Sequence, residues 1–184
     1  MGLDMYLEKR TYVKNWNHMK QSELHDIIIK KGGVVDDLIK TDRITYITEE
    51  VGYWRKVNSV HKFFVDNCGG GDDNCSNMYV NENVLADLLA RCNRIVKECK
   101  LIKGKIANGQ THKDGKWVDN MVDGKYIENP ELCKELLPNS EGFFFGSQGY
   151  DEWYYQDIKD TVKICKEAIE AIENGADIYY NASW

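Results

Sequence analysis

The segment FGSQG at residues 145–149 places a serine between glycines, as in the turn that exposes the nucleophile of α/β-hydrolases. That turn needs a glycine two residues before the serine, and Phe145 stands there. The sequence also contains no HExxH motif and no glycine-rich phosphate loop ending in Gly-Lys-Ser/Thr. We therefore predict that Ser147 is not a nucleophile and that the protein is not an enzyme.

Two other groups of ionisable side chains could carry chemistry. Glu49, Arg55 and His61 would form an acid–base cluster if they lay on one side of a single helix, but no pocket-forming pattern surrounds them. Cys68 and Cys75 flank an acidic, glycine-rich loop that could gather a cation or allow the two thiols to pair, although plain solvated turns more often have this composition. We predict no metal site and no cofactor.

Aromatic side chains are concentrated in residues 143–155, which read FFFGSQGYDEWYY. A strand at residues 142–146 followed by a helix would bury most of these rings, since each aromatic side chain buries roughly 150–250 Å². Tyr150, Trp153 and Tyr155 are the candidates for an exposed surface of the kind on which single-stranded nucleic acid stacks its bases.

Charge is unevenly distributed along this chain of 184 residues, whose formal net charge is −6. Residues 91–117 carry eight basic and two acidic side chains, whereas residues 118–184 carry five basic and fourteen acidic ones. We predict two electrostatic faces, one suited to a phosphate backbone and one to a cationic partner; two solvated surfaces without a partner are the simpler alternative. The predicted nucleic-acid-binding residues of the basic arm are Arg94, Lys97, Lys100, Lys103, Lys105, Lys113 and Lys116, and the predicted partner-binding residues of the acidic face are Glu128, Glu131, Glu135, Asp151 and Glu152.

Hydrophobic periodicity predicts the elements that hold these groups. Residues 2–7 and 178–184 alternate apolar and polar side chains, which predicts that both termini are strands of one sheet, and residues 43–48 and 142–146 are further strand candidates. Spacings of three and four residues predict a helix from 53 to 65 and a second helix capped by Asn81. A third and longest helix is predicted to begin at Asp151 and to end at Gly175.

These elements predict a single α+β domain spanning residues 1–184. In it a mixed or antiparallel sheet that includes both termini packs against about three helices. A flexible glycine-rich loop is expected at residues 67–75, and a long irregular arm, either a hairpin or a mobile segment, at residues 103–127.

The sequence shows neither a secretory signal nor an apolar stretch of membrane-spanning length. We therefore expect a cytoplasmic protein without a membrane partner. In a reducing cytoplasm its six cysteines are expected to be free thiols.

Four segments together resemble a family of small proteins from phages and prophages of Firmicutes. The segments are GLDMYL at 2–7, EVGYWRKVNSVHKFFVDN at 50–67, GFFFGSQGYDEWYYQDIKDT at 142–161 and DIYYNASW at 177–184. Within that family the sequence is similar to type II-A anti-CRISPR proteins, which inhibit Cas9. The resemblance covers nearly the whole chain apart from residues 100–130. It implies a stoichiometric inhibitor in the cytoplasm of the infected or lysogenic bacterium.

The resemblance implies Cas9 or its complex with guide RNA as the partner. Such an effector holds nucleic acid in a positively charged channel, which the acidic face would occupy as a DNA mimic while the basic arm contacts DNA or RNA. Two alternatives stay open: a phage factor that binds a small molecule or nucleotide in an aromatic pocket, and a host-takeover protein that binds another bacterial enzyme. The exposed face of the longest predicted helix is compatible with a homodimer.

Overall fold

The computed structural model of the protein describes residues 2–142 and 145–184. Strands and helices both contribute to this part of the chain, and the fold class is α+β as predicted. In chain order the elements are β1 (Asp4–Tyr12), β2 (Lys30–Lys31), β3 (Val34–Val35), β4 (Tyr46–Arg55), α1 (Asn58–Cys68), β5 (Met78–Val80), α2 (Glu82–Glu98), β6 (Leu101–Lys113), β7 (Lys116–Ile127), α3 (Glu131–Leu136), α4 (Glu152–Glu173) and β8 (Asp177–Ser183).

The main sheet has the strand order β4-β1-β8-β5, and each neighbouring pair is antiparallel. The first and last strands of the chain lie side by side at its centre, which confirms the prediction that both termini belong to one sheet. Met5 and Leu7 of β1 and Ile178 and Tyr180 of β8 are buried on the same face, because alternate side chains of a strand point to the same side. The helices that complete this core contribute Val60, Phe64, Leu85, Leu88, Ile158 and Cys165, among others.

The opposite face of the sheet carries tyrosines from each of its strands. Tyr6 and Tyr53 form one cross-strand pair with ring centroids 5.3 Å apart, and Tyr79 and Tyr179 form another at 5.7 Å. The guanidinium of Arg10 lies 4.2 Å from the centroid of the Tyr179 ring. Cross-strand aromatic pairs and cation–π contacts of this kind stabilise a sheet. The pattern-based search for exposed rings pointed to residues 150–155 and missed this face.

The two long helices begin where the sequence predicts. Oδ1 of Asp151 accepts hydrogen bonds from the backbone N–H groups of Trp153 (2.9 Å) and Tyr154 (3.1 Å) at the start of α4. At the start of α2, Oδ1 of Asn81 accepts a hydrogen bond from the backbone N–H of Val84 (3.1 Å). These caps satisfy N–H groups that have no acceptor within the helix, and they therefore fix where each helix starts.

The predicted helix from residue 53 is wrong in its first turn. Tyr53 and Trp54 belong to β4, whose register pairs Trp54 with Met5, and α1 begins only at Asn58. Lys56 has a φ of 60°, a left-handed conformation that turns the chain from the strand into the helix.

Two of the predicted strands also differ from the structure. The strand expected at residues 43–48 begins at Tyr46 and continues to Arg55. The strand expected at residues 142–146 is absent from Gly142 and from residues 145–146, while its positions 143 and 144 lie outside the described residues.

The arm at residues 103–127 is a regular antiparallel hairpin of β6 and β7 rather than an irregular segment. Its turn contains Asp114 (φ 50°) and Gly115 (φ 79°), and two successive left-handed residues are typical of the tight type I′ turn. The hairpin is about 40 Å long, and its base is tied to the body by the bond from Ile127 N to Tyr150 O (2.9 Å).

Residues 13–45, between β1 and β4, form short turns and the small hairpin of β2 and β3. Several apolar side chains there are exposed, including Ile28, Val34 and Leu38. Within the described ranges, 2–142 and 145–184, no helix combines the length and the apolar composition needed to cross a membrane.

We expect substitution of Gly52 in β4 by alanine to destabilise the fold. A methyl group at this buried position would overlap the side chain of Ile164 on α4. Overpacking of this kind typically lowers the free energy of unfolding by about 1–3 kcal/mol. Urea denaturation measures the change, and the same substitution in an Ile164→Ala background is the control. Because the shorter side chain makes room, Gly52→Ala should cost less there. Equal costs in both backgrounds would contradict the described packing of β4 against α4.

Candidate functional site

A cleft separates the base of the hairpin from the body of the protein. Its larger part has a volume of about 960 Å³ and an adjoining narrower part has about 310 Å³. Residues from distant parts of the chain line both parts, among them Lys56, Ala107, Ser147 and Gly149. The cleft is therefore formed by tertiary packing of the β4–α1 junction, β6 and the loop before α4.

Three unusual backbone conformations meet at this cleft. Lys56, Gly109 and Gly146 have φ values of 60°, 77° and 91°, and each lines the cavity. Gly109 lies where the register of β6 against β7 shifts between Ala107 and Gln110, a β-bulge. The left-handed conformation is unfavourable for a lysine, and strained residues and bulges are both frequent at functional sites.

The loop before α4 is held against α1 by the buried side chain of Asn58. Its Nδ2 donates hydrogen bonds to the carbonyl oxygens of Phe145 (3.1 Å) and Ser147 (3.0 Å), and its Oδ1 accepts one from Ser140 N (2.9 Å). A Cβ atom on Gly146 would lie 2.9 Å from Cβ of Lys56, so only glycine allows the loop to approach this closely. These contacts fix one wall of the cleft.

A half-buried carboxyl group, Asp157, lines the narrower part of the cleft. Burial, together with the nearby carboxylates of Asp160 and Asp151, raises its pKa to about 7. Near neutral pH this side chain can therefore both donate and accept a hydrogen bond. A carboxyl group with a raised pKa in a cleft is a candidate functional residue.

The residues of the predicted basic arm are all exposed, but they do not form a surface separate from the acidic residues. Nη1 of Arg94 lies 3.8 Å from Oε1 of Glu135, and Nζ of Lys105 lies 2.7 Å from Oδ1 of Asp123. Lys105 also lines the larger part of the cleft. The expectation that acidic and basic side chains lie on separate faces is wrong at these contacts, because the two blocks pack against each other.

The predicted acidic face is not one exposed surface either. Asp151 is 4% exposed and caps α4, so it is not available to a protein partner. Oε1 of Glu152 accepts a hydrogen bond from Lys125 N (3.2 Å), and Glu131 pairs with Lys134 at 2.7 Å. Glu128, Glu131 and Glu135 are exposed.

Of the three aromatic candidates, Trp153 alone is largely exposed, at 63%, and it lines the narrower part of the cleft. The hydroxyl of Tyr150 accepts a hydrogen bond from Asn139 N (3.1 Å), and Tyr150 forms part of the wall of the larger part. The hydroxyl of Tyr155 donates to Val96 O (3.0 Å), and its ring packs against the core. Tyr155 is therefore not part of an exposed stacking surface.

The other candidates from the sequence do not come together. His61 is buried between the hydroxyl of Tyr180 (2.7 Å from Nδ1) and the carboxylate of Asp73 (3.0 Å from Nε2). Glu49 pairs instead with Lys9, and Arg55 with Asp4. His61 thus joins the glycine-rich loop to the sheet instead of forming an acid–base cluster.

The cysteines and the acidic loop form no metal site in the part of the chain that the structure describes. Cys68 and Cys75 are both free thiols. The Sγ atoms of Cys99 and Cys133 lie 3.6 Å apart, at hydrogen-bonding distance and not joined by a disulfide, and burial raises the pKa of the Cys133 thiol to about 12. A thiol with so high a pKa stays protonated and is a poor nucleophile.

The chain matches no family model, no curated protein and no solved structure. The sequence analysis did not single out Lys56, Asn58 or Asp157 as site residues. Asp157 lies on the polar side of a helical pattern, where a solvated carboxylate is the usual expectation, and only the packed hairpin makes it a cleft residue.

Substitution of Asp157 by asparagine should weaken the pH dependence of stability. The folded-state pKa of about 7 lies above that of an unfolded aspartate, about 3.9, so the folded protein keeps this proton to higher pH. The free energy of unfolding therefore falls as pH rises from about 4 to about 7, and this contribution is constant above that range.

Thermal unfolding between pH 4 and 8 tests this expectation. Asp157→Asn should show a smaller fall in Tm over the range and a higher Tm than the unmodified protein at pH 8. Asp66→Asn, which changes an exposed carboxylate on α1, is the control and should leave the fall unchanged. An unaltered profile for Asp157→Asn would show that this carboxyl does not titrate near neutral pH.

Proposed function

We propose that the protein binds a small nucleotide-like ligand in the cleft between the hairpin and the body. The observation that carries the proposal is the convergence of Lys56, Gly109 and Gly146, all with positive φ, on a cavity that also contains Asp157. Of these three conformations only that of Lys56 is unfavourable, because glycine adopts positive φ readily. An unfavourable backbone conformation is frequent at functional sites, and a carboxyl group with a shifted pKa supports the same location.

The lining of the cleft fits this class of ligand. A volume of about 960 Å³ is within the range that small-molecule sites usually have. Lys56 supplies positive charge for a phosphate, whereas Lys105 at the larger part of the cleft is already paired with Asp123. The rings of Trp153 and Tyr126 supply apolar surface for a base. Asp157 can donate to or accept from the polar edge of that base.

The proposed activity is binding without turnover. Oγ of Ser147 accepts a hydrogen bond from Gly149 N (3.0 Å) within its own loop, and no histidine contacts it among the described residues. A serine needs an adjacent general base to act as a nucleophile. The resemblance to phage and prophage proteins supports a role for such a binding protein in the cytoplasm of an infected or lysogenic bacterium.

The fluorescence of Trp153 should report ligand binding. We expect nucleotides to quench tryptophan emission in the unmodified protein, because Trp153 lies at the cleft, and the quenching should be lost in Trp153→Phe. Trp117→Phe is the matched control, since Trp117 is similarly exposed, at 68%, but lies near the tip of the hairpin, and it should keep the quenching. Mass spectrometry of the protein denatured after purification would identify a ligand carried from the cell. The absence of quenching by any nucleotide, together with no retained ligand, would rule out the proposal.

The hairpin favours inhibition of Cas9 as a second candidate function. Its distal half exposes Trp117, Val118 and Met121, and Lys113 and Lys116 lie at the same end. Exposed apolar side chains next to lysines suit contact with a protein that carries nucleic acid. This projecting element, and not a separate acidic face, is the feature that supports the inhibitor implied by the resemblance.

Co-purification with tagged Cas9, with and without guide RNA and at two salt concentrations, tests the second candidate. We expect retention on Cas9 and reduced cleavage of target DNA, both weakened by Trp117→Ala and unaffected by Trp153→Phe. Normal cleavage in the presence of excess protein would exclude inhibition. Recovery of a different bacterial enzyme as the partner would favour the host-takeover alternative.

A further inference from the structure

The first turn of α1 lies at the narrower part of the cleft. Arg55, Lys56, Val57, Asn58 and Ser59 all line this part. Val57 occupies the N-cap position and provides no capping hydrogen bond, unlike Asn81 and Asp151 at the starts of α2 and α4. The first N–H groups of a helix have no acceptor within it, so an uncapped start attracts an anion.

Ser59 provides a second and independent indication of a ligand. The residue is 2% exposed, and its Oγ is buried without a hydrogen-bond partner among residues 2–142 and 145–184. Buried hydroxyl groups nearly always have a partner, and leaving one unpaired is costly. Ser59 lines this part of the cleft, but its Oγ has almost no accessible surface, so the hydroxyl must rotate towards the cleft to meet a ligand there. A ligand that accepts a hydrogen bond from the rotated hydroxyl would remove the cost.

Positive charge is available at the same place. Lys56 is exposed and forms no ion pair with any described residue, while its backbone is held in the left-handed conformation that directs the chain into α1. Arg55 lies next to it, with Nε 3.9 Å from Oδ1 of Asp4 on the open side of the sheet. A lysine that is not paired with a carboxylate can neutralise a bound anion.

Two carboxyl groups also line this part of the cleft and must be compatible with an anion. The carboxylate of Asp151 already accepts two N–H groups at the start of α4, so its charge is partly compensated. Asp157 in its protonated form carries no charge and does not repel the anion.

We infer that this end of the cleft binds the phosphate group of a small phosphorylated ligand, through Lys56, the hydroxyl of Ser59 and the N–H groups of the first turn of α1. The inference rests on the proposed function and names the chemical class of its ligand. The base or other apolar part of the ligand then extends towards Trp153.

Ser59→Ala should affect stability and ligand affinity differently. Without ligand, removal of an unpaired buried hydroxyl should leave Tm unchanged or raise it. With pyrophosphate as the probe, the variant should lose a hydrogen bond to a charged group, and its affinity should fall about tenfold. A lower Tm without ligand would show that the hydroxyl already has a partner in the folded protein, and it would overturn the role of Ser59.

Lys56→Asn tests the charge separately. Asparagine is neutral and tolerates the left-handed conformation, so the variant should fold normally and still lose about tenfold in affinity for pyrophosphate. Lys62→Asn is the matched control, because Lys62 is partly exposed on the same helix and pairs with Asp66 (2.8 Å), and neither residue lines the cleft. Equal losses in both variants would indicate a general electrostatic effect and would contradict the site.

Calorimetric titrations use four probes: pyrophosphate, an unphosphorylated nucleoside, a nucleotide and a single-stranded oligonucleotide. They distinguish failure of the phosphate site from failure of the proposed function. Binding of the nucleoside without binding of pyrophosphate would overturn this inference and leave the proposed function standing. Binding of the oligonucleotide alone would show that the phosphate belongs to a nucleic-acid backbone, and it would overturn the small-ligand class. If none of the four probes binds, both the inference and the proposed function are wrong. Tighter binding of the nucleotide than of the nucleoside, reduced by both variants, is the expected result.

Discussion

The fully buried amide of Asn58 is the constraint on which the architecture of the cleft depends. It donates hydrogen bonds to two loop carbonyls, Phe145 O and Ser147 O, and accepts one from the backbone N–H of Ser140. The backbone carbonyl of Asn58 also accepts a hydrogen bond from the hydroxyl of Ser140 (3.2 Å). A loop without secondary structure needs such partners, because buried backbone groups without hydrogen bonds are costly. Asn58 is also the first residue of α1, directly after the β4–α1 turn. One side chain therefore fixes the position of the loop relative to Lys56 and to the start of the helix.

The hairpin joins the body at the end of the loop that leads into α4. Tyr126 pairs with Asp151 in an isolated β-bridge, and Ile127 N donates to Tyr150 O. Asp151 also caps α4, so the residue that starts the long helix is the one that positions the hairpin. The burial of this carboxylate, unexpected for a member of an acidic surface, follows from these two structural roles. The bulge at Gly109 then lies over the first turns of α1 and α4 and completes the cavity.

The sequence predicted the elements whose pattern is local. The terminal strands, α2 and α4 show clear periods of two or of three to four residues, and Asn81 and Asp151 mark the helix starts. The β4–α1 boundary was misplaced because Trp54 fits both the helical stripe and the buried side of a strand. The sequence left a hairpin and a mobile segment as alternatives for residues 103–127, because both faces of the hairpin are largely exposed and its strands show little alternation, although Asp114-Gly115 is a strong signal for a turn. The cleft could not be predicted, since it exists only where segments distant in sequence meet.

The same topology explains why charge blocks along the sequence did not become charged faces in the fold. β6 belongs to the basic block and much of β7 to the acidic one, and the antiparallel hairpin brings the two blocks together where Lys105 lies opposite Asp123, although Lys103 lies opposite Lys125. The helices repeat this arrangement where Arg94 of α2 meets Glu135 of α3. Exposed pairs of this kind contribute little to stability and largely cancel one another's field at a distance. Recognition by this protein should therefore depend on local groups held in fixed geometry at the cleft and the hairpin, more than on its net negative charge.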